Sequence, residues 1–285
     1  MNFMKKNKNV NPALTESLND ILRRLDQLEK QAVLSDTYSV FSFWRIIDRL
    51  YEKLLPEMTQ KCIICDFDSG RESFKILVDK CIFGGGVLER YQCPQCECIF
   101  GPRKYLDLDE EFVNLDYRLL YSHYDEGNTT ENEVQTFFSL EPKKDGLHLD
   151  WGCGAWGTTI QNLRDQNYDV WGYEPSAPVT ADFIVNTRDQ ISAKFDTIFS
   201  NNVIEHFRNP VQQFKDFATI LKPGGRMAHS SPCYEYNYAY TRFHTLFLTG
   251  RSPYVLAEKT GFKILNTIRK GEYINYVFGL ESSSL

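Results

Sequence analysis

The chain has 285 residues, 42% hydrophobic, 14% aromatic and 25% charged, which supports one or two cores of ordinary domain size and excludes an intrinsically disordered chain. With 38 acids against 32 bases the formal charge is −6, so the surface as a whole does not steer the protein toward nucleic acid or anionic lipid. No window nears the roughly 18 apolar residues of a membrane span, no apolar stretch of signal-peptide length follows the basic opening, and a cytoplasmic location is expected.

Residues 11–33 read as a helix. Asn11 can cap it, Pro12 suits its first turn, and Leu14, Leu18, Ile21, Leu25, Leu28 and Ala32 follow alternating steps of four and three. That spacing is an a/d seam of under three heptads, open to two readings: docking on its own protein, or self-association into a homo-oligomer. A second amphipathic helix is expected over residues 36–55, with Val40, Phe43, Trp44, Ile47, Leu50, Tyr51 and Leu54 on one face. The two together read as a helical hairpin within a coiled-coil-like segment, residues 1–58.

Four of the eight cysteines form two C-x-x-C pairs, Cys62/Cys65 and Cys93/Cys96, in a ribbon expected over residues 59–105. Each pair suits a tight knuckle, and two facing knuckles close a tetrahedral thiolate site for zinc, with iron compatible with the same ligands. Four thiolates leave no open position for water or substrate, so the metal is expected to be structural. Cys98 is an alternative ligand to Cys96, and Cys81 lies in the intervening loop; both also suit small buried apolar positions. Residues 106–145 are rich in acids and tyrosines and are expected to form a helical connector or lid.

From residue 146 to 285 apolar strand-like runs alternate with helical ones: strands near 147–150, 169–174, 182–186, 197–200 and 226–230, with helices over 155–165 and 211–221. This is an α/β pattern and predicts a mostly parallel, doubly wound, Rossmann-like sheet. Two last strands, 262–268 and 273–278, lie close enough for an antiparallel finish. The first strand ends in Asp150 and runs into Gly152-Cys153-Gly154, then Trp156 and Gly157. Gly152, Gly154 and Gly157 spell the dinucleotide pattern G-x-G-x-x-G, and Glu174 follows about 20 residues on, which keeps an NAD reading open. Asp150 argues against it, because a carboxylate at the strand tip repels a pyrophosphate and attracts a cationic amino-acid moiety.

Asp150-x-Gly152-Cys153-Gly154, Glu174, the strand at Phe195-Asp196 ending in Asn201-Asn202-Val203-Ile204-Glu205-His206, and Leu221-Lys222-Pro223-Gly224-Gly225 together resemble class I S-adenosylmethionine-dependent methyltransferases. The resemblance covers roughly residues 145–270. It implies that Asp150 and the Gly152–Gly154 turn hold the methionine part of S-adenosylmethionine, that Glu174 binds the ribose, and that Asn186 lies near the adenine. Cys153, Trp156, Asn201 and Asn202 would line the same site. Trp156 stands where members often carry glycine, so the turn is expected to be reshaped around it. The ribbon placed ahead of such a domain resembles zinc-ribbon methyltransferases of surface-polysaccharide and natural-product pathways.

Methyl transfer to a hydroxyl needs a base as well as alignment. Of the five histidines, His206 after the fourth strand and His244 before the last helix are the candidate bases. His148 reads as a core residue and His123 as part of the connector. Tyr234, Tyr236, Tyr238 and Tyr240 would share one face if extended, offering a stacking surface for a sugar or base. The reading reached is a S-adenosylmethionine-dependent O-methyltransferase for a sugar, a glycan or another activated small molecule. The alternatives are an RNA methyltransferase that uses the ribbon to bind its substrate, and a non-catalytic cofactor-binding assembly subunit.

Overall fold

The structure, a computed structural model, describes residues 12–121, 124, 127–154, 157–176 and 181–281, with the backbone alone for residues 12–19 and 121. Its first element corrects the hairpin: α1 (Pro12–Leu54) is one continuous helix. Val33-Leu34-Ser35-Asp36 contains neither glycine nor proline, and the Ser39 hydroxyl donates back to the Ser35 carbonyl at 2.9 Å, a bond made within a running helix. Its second half lies on the body. Trp44 is buried and Val40, Phe43 and Ile47 are half-buried against Tyr105, Val113, Phe112 and Phe243. Residues 21–35, in contrast, are exposed on every side, so the docking reading of the seam fails there.

The ribbon follows as a short hairpin, β1 (Thr59–Lys61) with β2 (Asp68–Gly70), and a meander of β3 (Lys75–Lys80), β4 (Val87–Gln92) and β5 (Ile99–Phe100). Next come α2 (Arg103–Leu106), α3 (Glu110–Tyr121) and α4 (Thr130–Phe138). The second half is built from β6 (Leu147–Trp151), α5 (Thr158–Asp165), β7 (Asp169–Tyr173), β8 (Ile184–Val185), β9 (Phe195–Asn201), α6 (Pro210–Ile220) and β10 (Leu221–Ser230), as the alternation requires. It closes with β11 (Leu246–Phe247), α7 (Ser252–Thr260), β12 (Phe262–Lys270) and β13 (Tyr273–Leu280). The seven-stranded sheet has the order β12-β13-β10-β9-β6-β7-β8, and β13 alone among these strands runs opposite to the rest. The chain winds outward from β6 to β8 and then returns to β9 on the other side of β6. That reversal opens a crevice at the carboxyl ends of β6 and β9, where sheets of this kind bind ligands.

The ribbon is fused to this sheet. β11 pairs antiparallel with β5, Leu246 opposite Phe100 and Phe247 opposite Ile99, so a strand from the second half completes the ribbon's four-stranded sheet. One apolar core runs from Cys62, Phe74 and Tyr91 through to Leu149, Ile198 and Phe214. Arg90, fully buried on β4, donates to the carbonyls of Ala239 and Thr241 at 2.7 Å each and of His244 at 3.0 Å, and so fixes the loop before β11. Arg242 in that loop forms a two-bond pair with Asp116 of α3, both bonds 2.6 Å and both side chains at most 4% exposed. Asp116→Ala is therefore expected to lower the unfolding free energy by about 3–5 kcal/mol, since it leaves a buried guanidinium unpaired. Denaturant titration checks this, and the double variant Asp116→Leu/Arg242→Met should be less destabilised than the single one.

The four tyrosines do not share a face. Pro232–Tyr234 is a turn of 3₁₀ helix and Tyr238 has a left-handed φ of 55°, so the run is not extended. Tyr234 is buried on Tyr276 and donates to the His229 carbonyl, Tyr236 packs on Phe247, and Tyr238 donates to Glu272 at 2.7 Å.

Candidate functional site

β6 delivers Asp150 to the crevice, and the turn after it reverses tightly. The backbone N–H groups of Gly152 and Cys153 both donate to the Tyr173 carbonyl at the end of β7. Gly152 has φ of 78°, and a Cβ there would come within 2.7 Å of Val203, so glycine lets the loop after β9 lie on the turn. Gly154 also has a positive φ, yet a Cβ there would meet none of the described residues within 4 Å. Trp156 lies outside the described residues, as does His123.

Asp150 is 2% exposed, and its Oδ2 has no hydrogen-bond partner among the described residues. Burial, with the Glu133 and Glu174 carboxylates nearby, holds its carboxyl well above the usual carboxylate range. Glu174, just past β7, accepts from the Gly154 N–H at 3.1 Å and from the Ser176 N–H at 2.8 Å. Its own N–H donates to the Val185 carbonyl, and Asn186, the next residue after β8, donates its N–H to Gln190 at 3.1 Å. Asp150, Cys153, Gly154, Glu174 and Asn186 thus stand along one edge of the sheet. Burial and the two neighbouring carboxyls push the Cys153 thiol up, which leaves it unreactive.

Asn201 ends β9. Its Oδ1 accepts from Ser230 at 2.7 Å, which orients the amide, and its Nδ2 is buried without a partner among the described residues. Asn202 is exposed at a left-handed φ of 55°, with its N–H on the Ser230 carbonyl. Four residues further on, His206 meets His244, ring centroids 5.0 Å apart. His206 Nδ1 lies 2.8 Å from the Tyr117 hydroxyl and 3.1 Å from the Phe243 carbonyl; His244 Nδ1 lies 3.0 Å from the Tyr238 carbonyl. A carbonyl only accepts, so each Nδ1 carries the proton and each Nε2 is the basic nitrogen. Burial and the adjacent His206 push His244 well below the usual histidine range, so it is neutral at pH 7. His148 and His229 are core residues, bonded to Thr197 and Ser200, and burial alone takes His229 down to about 3.

The ribbon brings Cys62, Cys65, Cys93 and Cys96 together, their Sγ atoms within 4.8 Å of one another and the cross-knuckle pairs 62–96 and 65–93 at 3.5 Å. Four metal–sulfur bonds of about 2.3 Å in a tetrahedron put the sulfurs about 3.8 Å apart, so the thiols fit a closed metal site. The two knuckles repeat one backbone device. The residue after the second cysteine, Asp66 or Glu97, is left-handed, and its N–H returns to the first cysteine's carbonyl. Cys98, fully buried, stands outside this set of four.

Three participants escaped the sequence reading. Glu133 of α4 accepts from Thr129 and Thr159 beside Asp150, and Tyr117 of α3 holds His206; neither sits in a motif, and Thr159 and His206 are distant from them in sequence. Arg90 had a signal: a charge on the same strand face as buried Leu88.

A family model described as a methyltransferase domain matches residues 124–267. The chain belongs to the methyltransferase-domain family. It is a methyltransferase with a Rossmann-like sheet. Among solved structures it is similar to a methyltransferase of calicheamicin biosynthesis in its SAH-bound form (12% identity over 61% of this chain and 59% of that one, TM-score 0.42). It is also similar to the glycopeptide N-methyltransferase MtfA complexed with SAH (15%, 57% and 95%, 0.42). A third is an S-adenosylmethionine-dependent methyltransferase from Clostridium acetobutylicum (13%, 60% and 98%, 0.40). A comparison with curated proteins finds no match. The Asp150 oxygen, which has no partner among the described residues, and the space that they leave over Gly154 fit S-adenosylmethionine, whose amino-acid end is cationic and whose other end carries ribose hydroxyls.

Proposed function

We propose that this methyltransferase transfers its methyl group to a hydroxyl of a sugar, a glycan or another activated small molecule, in a pathway of surface-polysaccharide type. The observation that carries the reading is the pair of imidazoles at the end of β9, each with Nδ1 fixed as donor and Nε2 left basic. Asp150, the Gly152–Gly154 turn, Glu174, Asn186, Asn201 and Asn202 would hold S-adenosylmethionine, which supplies an electrophilic methyl on a sulfonium. Within that frame His206 Nε2 accepts the acceptor's hydroxyl proton as the oxygen becomes the nucleophile, and Tyr117 with the Phe243 carbonyl keeps the ring in that tautomer. His244, neutral beside it, does not repel the imidazolium that forms. An acidic chain suits a small acceptor better than a polyanion.

His206→Ala is expected to lower kcat about 10²–10⁴-fold and to leave S-adenosylmethionine binding by calorimetry unchanged. Assay means turnover of labelled cofactor with nucleotide-sugars and oligosaccharides as acceptors. Full activity in the variant would remove the base from the scheme; methylation of RNA but of no small acceptor would overturn the substrate class. In the ribbon we assign structural zinc to the four thiolates, whose sulfurs lie within 4.8 Å of one another.

A further inference from the structure

Residues 21–35 of α1 stand in solvent, and the sequence from Leu14 to Ala32 is that of half a coiled coil. We propose that residues 14–32 pair with the same segment of a second copy of this chain, in parallel and in register. Heptad positions follow from the spacing: a at Leu18, Leu25 and Ala32, d at Leu14, Ile21 and Leu28. Ile21, Leu25 and Leu28 are 53–62% exposed, and Leu22 at position e widens the same stripe at 54%. The opposite face carries Asp20, Arg23, Asp26, Gln27 and Lys30, tied into the intrachain pairs Arg23–Asp20 and Lys30–Asp26. These five residues occupy the b, c and f positions, where a two-stranded coil is wet, while Arg24 at g and Glu29 at e flank the apolar seam.

Three observations select the occupant. The stripe is not an extension of the one that seats α1 on the body: at 3.6 residues per turn, Val40, Trp44 and Ile47 lie about a quarter of a turn from Ile21, Leu25 and Leu28. A helix laid on the seam therefore runs beside the body without competing for the buried face. Exposed ion pairs three or four residues apart stabilise an isolated helix only weakly, so the exposed residues 21–35, about 22 Å of helix, call for a partner along their apolar stripe. Charge then fixes identity and direction. In a parallel in-register pair each g residue faces the e′ residue five positions on, which sets Arg24, whose Nε also pairs with Asp20 of its own chain at 2.9 Å on the exposed surface, against Glu29 of the second copy, twice by symmetry. An antiparallel pair instead sets g against g′ and e against e′. Arg24 would then meet Ser17, Gln31 or another Arg24, and no opposite charges would meet.

Sedimentation equilibrium of the full chain is expected to give twice the chain mass, and Leu25→Lys/Leu28→Lys the chain mass, with methyl-donor binding retained. Arg24→Glu should raise the dimer dissociation constant about tenfold by turning two attractions into repulsions, and adding Glu29→Arg should return it to the wild-type value. Three results would overturn the proposal: a monomer at every concentration tested, a dimer undiminished by the two lysines, or a charge reversal that fails to rescue. Because these side chains are exposed, loss of folding does not confound the readings.

Discussion

Cys93→Ser is expected to lower the melting temperature of the entire chain by more than about 10 °C and to abolish methyl transfer, although Cys93 lies outside the cofactor crevice. A structural zinc contributes folding free energy directly, about 10–16 kcal/mol in isolated finger peptides. Loss of even 4–5 kcal/mol corresponds to a shift of about 10–20 °C for a chain of this size. What carries the damage to the crevice is the way the knuckles are anchored. α7 is bonded to both of them: Lys259 donates to the Ile64 carbonyl at 2.8 Å and pairs with Asp66, while at the other end Thr249 and Arg251 bond Glu97 and Gln95. β5, which follows the second knuckle, pairs with β11, and Arg90 holds the carbonyls of Ala239, Thr241 and His244 itself. A collapsed ribbon therefore releases the loop that presents one of the two imidazoles. Metal release under a chelator, followed by a colorimetric zinc assay, should track the loss of both melting temperature and activity. Two separate melting transitions, with an active second half surviving the loss of the ribbon, would show that the fusion is not energetic.

Those anchors explain which features were legible before the structure. The C-x-x-C pairs and the Asp150 turn could be read because each is a short, local device whose spacing is set by backbone geometry. The Rossmann-like sheet was readable for a related reason: strand and helix periods alternate along the chain at the lengths a parallel sheet needs. The single helix α1 was misread as two because its apolar stripe changes face near residue 36. Pattern alone takes a rotated stripe for a new helix; the backbone needed a glycine or a proline to break, and has neither. β11 is two residues long, too short for any periodicity, and its pairing with β5 bridges about 145 positions. Tyr238 adopts a left-handed conformation that its residue type does not announce. Glu133 and Tyr117 act through partners distant in sequence, and only the folded connector brings them to Asp150 and His206.

At Asp150 binding and stability pull in opposite directions, and the sign of each is set by one buried carboxyl. Asp150→Asn is expected to weaken S-adenosylmethionine binding about 100-fold by calorimetry. That is the loss of one charge-assisted bond to a cationic amine in a dry site, at about 1.4 kcal/mol per tenfold change. The same substitution should make the ligand-free protein melt higher than wild type at pH 7. The folded carboxyl is raised above its ordinary 3.8 by burial and by Glu133 and Glu174, so the folded state holds this proton more tightly than the unfolded chain does. Stability from this group is full below pH 3.8 and is lost as the pH rises through the raised folded value. Asparagine does not titrate, so the gap between variant and wild type should close on acidification toward pH 4 and open above it. Saturating cofactor should reverse the order at pH 7, because it stabilises the wild type by mass action and the variant far less. Melting curves with and without cofactor at two pH values therefore separate an acid kept for binding from one kept for the fold. An asparagine variant that binds the cofactor as wild type does would show that Asp150 is not its anchor.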